Sequence, residues 1–263
     1  MLDISKPETP QGRQDREIIR VVSVGHFADM ALEYITGDGI EDVDFFSAST
    51  DSPDTLDTAE GVDLLFVAVE IGCEKDVETG CAIAEMVKDS RALVLFVAAS
   101  QSESIENQAN AEMITCVKAA SDAFFIVPCG QRIQSFADAL RVMLRCVVTD
   151  TLFSLQDESV DLADLRALFT NAGRVFFGIG TGQGENRATN AAQEAMNATI
   201  TKPISVEISK VLMCVAGRDM SVSEIQKATE IVNGFAAENP EMIWCCVFDT
   251  DMGDSIRVMV IAA

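Results

Sequence analysis

Residues 173–192 read GRVFFGIGTGQGENRATNAA, and how this stretch is taken decides the rest of the chain. Val175-Phe176-Phe177 has β-strand character and feeds a loop with glycines at 178, 180, 182 and 184. An alanine-rich helix follows, with Glu185 or Asn186 as its N-cap and Arg187 behind it. A strand, a glycine loop and a helix in succession suggest a phosphate cradle. The spacing argues otherwise. The dinucleotide fingerprint requires Gly-x-Gly-x-x-Gly, whereas here every second residue is glycine, and the lysine of a P-loop is missing. A structural turn that needs positive φ is the better reading.

The same string resembles the FtsZ family, the bacterial and archaeal relatives of tubulin, which carry Gly-Arg-x-x-x-Gly-Ile-Gly-x-x-x-Gly-Glu-Asn-Arg-Ala. In that family the stretch is a strand-to-helix joint of the C-terminal domain, away from the nucleotide. The resemblance implies a structural role here and places the chemistry upstream.

Composition is consistent with a folded cytoplasmic protein. With 263 residues and 48% hydrophobic content the chain can bury a sizeable core in one large or two small domains. The longest apolar runs, such as 64–69 and 92–99, are strand-length and too short to span a bilayer. The polar start, MLDISKPETPQGRQDRE, does not read as a signal peptide. Eight cysteines include no Cys-x-x-Cys pair and have one histidine to help them, so buried thiols in a reducing cytosol are expected rather than zinc. The formal charge of −23 excludes nucleic acid and anionic lipid as long-range partners.

Taken in order, residues 1–15 read as a flexible polar tail. Strands are expected at Ile18 to Gly25, Val43 to Ala48, Val62 to Val69, Ala92 to Ala99 and Ala123 to Pro128. Helices are expected at His26 to Ile35, Lys75 to Lys88 and Ile105 to Ala120. This alternation predicts a Rossmann-like α/β domain over 16–133 with a parallel sheet, whose ligand would sit at the C-terminal strand ends. A long helical stretch from about Gln134 to Leu155 is apolar on more than one side, as for a core helix lying between two domains. It forms, with its connection, a segment 134–158. Residues 159–263 form a smaller α/β unit. FtsZ and tubulin have such a core helix, and the ending Asp-Ser-Ile-Arg-Val-Met-Val-Ile-Ala also resembles FtsZ. The family's C-terminal linker and partner-binding peptide are expected to be missing.

Against the family's nucleotide loops the chain departs repeatedly. After the first strand the glycine run is replaced by Gly25-His26-Phe27-Ala28-Asp29, where a Phe side chain blocks close phosphate approach. His26 is either a new ligand or, on the favoured reading, a helix-entry residue. The family's Gly-Gly-Gly-Thr-Gly-Thr-Gly corresponds to the stretch after Gly72, which holds Cys73-Glu74-Lys75-Asp76-Val77-Glu78. At about 8 Å and an effective dielectric near 20, each carboxylate–phosphate charge pair costs roughly 2 kcal/mol. Acids here also suit the first turn of a helix, and a divalent-cation site from Glu74, Asp76 and Glu78 is the minor alternative. Ser49-Thr50-Asp51 keeps the aspartate of the family's Asn-Thr-Asp but not its asparagine, and Glu103 remains from a stretch that has lost its arginine. Leu140-Arg141 falls on the guanine-reading Asn-Asp; a guanidinium has no acceptor for the guanine donors.

One catalytic element remains. The family completes each active site with Asn-x-Asp-x-x-Asp from the next subunit, and here Asp161 and Asp164 match its acids while Ser159 stands in place of the asparagine. Helix-capping acids are the equally weighted alternative.

The resemblance therefore implies a tubulin/FtsZ-like cytoskeletal or cell-division protein. It has lost GTP binding and acts through head-to-tail contacts with itself or with an FtsZ-type filament, without cofactor, metal, nucleic acid or direct membrane contact. The alternatives are a true GTPase, completed between subunits and using GTP, GDP and Mg²⁺, and a small-molecule module that reuses the cleft.

Overall fold

The structure is a computed structural model that describes residues 17–37, 40, 43–48, 61–100, 108–129, 132–148, 162–199, 208–237 and 240–263. Among the described residues nine strands form one sheet in the order β2-β1-β3-β4-β5-β6-β9-β7-β8. The first half consists of β1 (Ile19–Val24), β2 (Val43–Ala48), β3 (Leu64–Ile71), β4 (Leu93–Ser100) and β5 (Ala123–Pro128), all parallel. Strands β3 and β4 are near-continuous apolar runs because helices cover both of their faces. On one face lie α1 (His26–Thr36), α4 (Ile133–Val148) and α5 (Leu162–Phe169); on the other lie α2 (Glu74–Val87) and α3 (Gln108–Ala120).

The second half comprises β6 (Gly173–Gln183), α6 (Arg187–Thr199), β7 (Lys210–Gly217), α7 (Val222–Asn233), β8 (Glu241–Phe248) and β9 (Ser255–Ala262). It is joined to the first through β6, which pairs parallel to β5 over Gly173–Val175 and then antiparallel to β9 over Phe176–Gln183. The expected α/β units thus share one sheet. Helix α4 fits this arrangement: its apolar face, with Phe136, Leu140 and Leu144, belongs to a core that also holds Leu212 of β7 and Met259 and Ile261 of β9. Among the described residues no helix is long and apolar enough to cross a membrane.

The glycine stretch differs from expectation. Residues 178–183 are strand, not loop. A Cβ on Gly180 would lie 2.0 Å from the Ala191 carbonyl oxygen, and one on Gly182 would lie 1.9 Å from that of Arg187. These two glycines let α6 lie directly on the backbone of β6. Among glycines 178, 180, 182 and 184, positive φ occurs at the turn itself, where Gly184 has φ 76°.

Candidate functional site

In the order 2-1-3-4-5 the chain changes direction between β1 and β3, and a crevice at that switch point is where such sheets bind ligands. Two turns meet there. Gly25 (φ 88°) leads from β1 into α1, and Gly72 (φ 135°) leads from β3 towards α2. His26 is the exposed first residue of α1. Glu74, Asp76 and Glu78 occupy the first five positions of α2, behind Cys73 as N-cap.

The carboxylate of Asp76 crosses from α2 to the β1 turn. A Cβ on Gly25 would lie 2.1 Å from its Oδ2 and 2.6 Å from its Cγ. The space over the Gly25 backbone, between two helix N-termini, therefore holds a side chain of the protein itself. The neighbouring helix does the same with Asp29, a residue that the sequence reading passed over as a ligand. Its Oδ1 accepts hydrogen bonds from Ser23 Oγ at 2.6 Å and Ser47 Oγ at 2.7 Å. Both helices facing the crevice thus carry an acid in their first turn, where the helix dipole favours it. The signal for Asp29 was available: an acid four residues after a strand-ending glycine belongs in a first helical turn.

Beside Gly72 opens a cavity of about 300 Å³ between α2 and α3, lined by Glu74, Glu78, Glu112, Met113 and Cys116. Its carboxylates set an unfavourable field for any anion. Among the described residues no cluster of His, Cys, Asp or Glu is arranged to hold a metal ion.

Arg141 stands apart from this group. Phe27 and Phe136 are in ring contact at 6.0 Å, and further along both helices Arg141 Nη2 donates to the Tyr34 carbonyl at 3.5 Å. Helices α1 and α4 therefore run side by side in the same direction. Eight residues separate Arg141 from the start of α4, which puts it about 12 Å from the crevice end. Its Nη1 also donates to Asp138 at 2.9 Å, while Leu140 is fully buried.

Asp164 lies in the first turn of α5, at the opposite edge of the sheet. Two residues on, Arg166 donates to the carbonyls of Arg91 and Asp63, which precede β4 and β3. A cavity of about 590 Å³ opens at that edge, lined by Lys88, Arg91, Lys118 and Arg166, with Asp122 as the carboxylate among its lining residues. The described parts of the predicted site thus divide into an acidic group at the strand C-termini and Asp164 beside a basic group at the N-termini. Ser49, Asp51, Glu103, Ser159 and Asp161 lie outside the described residues.

A residue that sequence reasoning assigned no task is Arg187. It is buried, and its guanidinium donates to Glu224 at 2.6 Å, Asp219 at 3.2 Å and Asp254 at 3.1 Å, and to the Asp219 and Asp254 carbonyls. It ties α6 to the loop before α7 and to the turn before β9. Hydrogen bonding from Arg187 holds the Glu224 carboxyl at about 2, well below its ordinary 4.5. Glu224 also closes a capping box with Ser221 at the start of α7.

A mainly parallel sheet with a switch-point crevice, a long helix packed against both halves and a β6–α6 joint built on backbone contact define a tubulin/FtsZ-type fold. Solved structures agree. An empty FtsZ dimer from M. jannaschii superposes with a TM-score of 0.81 at 18% identity, covering 95% of this chain and 89% of that one. A second M. jannaschii FtsZ gives 0.79 at 16%, covering 94% and 91%. TubZ from Bacillus thuringiensis serovar israelensis, in GDP-form protofilaments, gives 0.66 at 8%, covering 94% and 86%. Residues 173–263 match the FtsZ family C-terminal domain. Residues 173–263 thus carry an FtsZ-family C-terminal domain, and the chain has the FtsZ fold.

Proposed function

We propose that this chain is a cytoskeletal, cell-division-type protein that has lost GTP binding and acts through head-to-tail subunit contacts. The observation that carries the reading is the Asp76 carboxylate against Gly25. A triphosphate entering the crevice must displace it and also face Glu74, Glu78 and Asp29, with Lys75 as the cation on the same turn. At about 8 Å each such acid opposes a phosphate charge by roughly 2 kcal/mol, more than a single lysine offsets.

The head-to-tail part rests on the polarity of the molecule. Acids gather at the crevice edge and lysines and arginines at the edge that carries Asp164. Stacking two copies, or this chain on an FtsZ-type subunit, brings unlike charges together, and such heterologous contacts propagate. On a conventional FtsZ the Asp164 edge would meet the partner's nucleotide face, with Asp161 beside Asp164 in sequence, while the acidic edge offers poor footing for the next GTP-dependent contact. The chain then caps or modulates a filament in the cytoplasm.

The test mixes the chain with an FtsZ from the same source and follows phosphate release and pelleting at low and high salt. Altered turnover or pelleting at low salt, reduced at high salt and with turnover no longer stimulated when Asp161 and Asp164 are both made alanine, is the expected result. No change in turnover or pelleting at equimolar ratio would remove the modulator reading.

A further inference from the structure

Cys81 in the middle of α2 and Cys116 in the second half of α3 face each other across the helix pair that walls the acidic cavity, with their sulfurs 2.7 Å apart. Both are thiols. A disulfide bond is ~2.05 Å long, so side-chain adjustment of less than about 1 Å joins them. The two are not equivalent. Cys81 is buried among Val77, Gly80 and Ala84, whereas Cys116 is half-buried and lines the cavity. A small molecule in the cavity therefore meets Cys116 first.

We propose that Cys81 and Cys116 form a reversible redox clamp, oxidised through the cavity by a low-molecular-weight disulfide. The Cys116 thiolate attacks one sulfur of that disulfide. Its S–S bond breaks, a mixed disulfide forms on Cys116, and the first thiolate leaves and takes up a proton. The Cys81 thiolate then attacks the Cys116 sulfur and expels the second thiol in the same way. Two protein thiols are oxidised, one small disulfide is reduced to two thiols, and the protons lost by the cysteines end on the leaving groups. Burial and the neighbouring Cys116 push the Cys81 thiol well above its ordinary range, with Glu85 and Glu78 adding to the effect. It resists attack from solvent and serves as the resolving partner. The same carboxylate field favours a cationic oxidant over an anionic one. Once formed, the bond pins α2 to α3 and fixes the wall of the cavity beside Gly72. This inference stands independently of whether nucleotide binds.

The experiment treats the full chain with cystamine, a small cationic disulfide, then alkylates and maps the peptides without reduction. A Cys81–Cys116 cross-linked peptide should dominate, formed faster than with oxidised glutathione. The melting temperature should rise by about 10 °C, because the bond closes a loop of some 35 residues, and dithiothreitol should reverse the rise. Cys116→Ser should abolish both the cross-link and the temperature rise. Mapping of the unmodified chain tests the proposal even if that variant folds poorly. A cysteamine adduct persisting on Cys116 with Cys81 reduced would overturn it, as would cross-links scattered among other cysteines or the same temperature rise in Cys116→Ser.

Discussion

Two of the places where a strand passes through glycine into a helix use glycine differently. In the joint from β6 to α6, Gly180 and Gly182 sit under the backbone of the helix, with no room for even a methyl group. In the turn from β3 to α2, Gly72 has nothing within 4 Å of where its Cβ would stand, and its one special feature is φ 135°. The first joint is defined by what packs on it. The second borders open space, and the residues after it put acids in the first turn of α2, where the helix dipole favours them. A glycine held by packing identifies a fold. A glycine beside a crevice identifies a function only when its neighbours suit the ligand.

Substitution at the two joints should separate these cases. Gly182→Val should destabilise the protein by roughly 3 kcal/mol or more, since the backbone of α6 must move to admit it. Gly72→Ala should cost about 1 kcal/mol, for its φ alone. Both are read by denaturant unfolding, and equal effects would erase the distinction. Between these two in size is Arg187→Ala, expected at about 2–3 kcal/mol because it removes the charge partner of Glu224 and frees three chain segments.

The same ion pair sets an acid limit on the second half. The Glu224 carboxyl lies lower in the folded state, at about 2 against 4.5, so its stabilisation is complete above pH ~4.5 and is lost as pH falls towards 2. The side chain is 20% exposed, and screening keeps the contribution to about 1–3 kcal/mol. Unfolding midpoints of Arg187→Ala and the parent chain should converge over that window. Smallest of all should be the effect on ligand binding of making Glu74, Asp76 and Glu78 glycine together. GTP binding should stay absent, because His26, Phe27 and Asp29 still occupy the first turn. Gain of micromolar affinity would mean that the acids of α2 alone closed the crevice.

Much of this architecture was legible in the residue string. The apolar runs of β3 and β4 could hardly be anything but buried parallel strands, and the spacing on α4 announced a helix covered on several sides. The glycine stretch was misread as a loop because alternating glycines carry a turn signal, whereas the reason for them, the approach of α6, exists only in three dimensions. Arg187 was passed over for the same reason: its partners lie 32 to 67 residues away in sequence. Gly25, Gly72, Glu74 and Asp76, picked out by the resemblance to the family's loops, lie at the C-terminal ends of β1 and β3 and the start of α2. Arg141, placed on the guanine-reading position by its spacing from Phe136, lies about 12 Å along α4 from the start of that helix.

On the proposed function, the crevice between Gly25 and Gly72 is filled by the protein's own acids and takes no nucleotide. Calorimetric titration of the full chain with GTP and with GDP, each with and without Mg²⁺, tests it most directly. No saturable heat is expected in any of the four titrations, and acid should release no nucleotide from the purified protein. Stoichiometric GDP in the preparation, or a micromolar dissociation constant for either nucleotide, would contradict it.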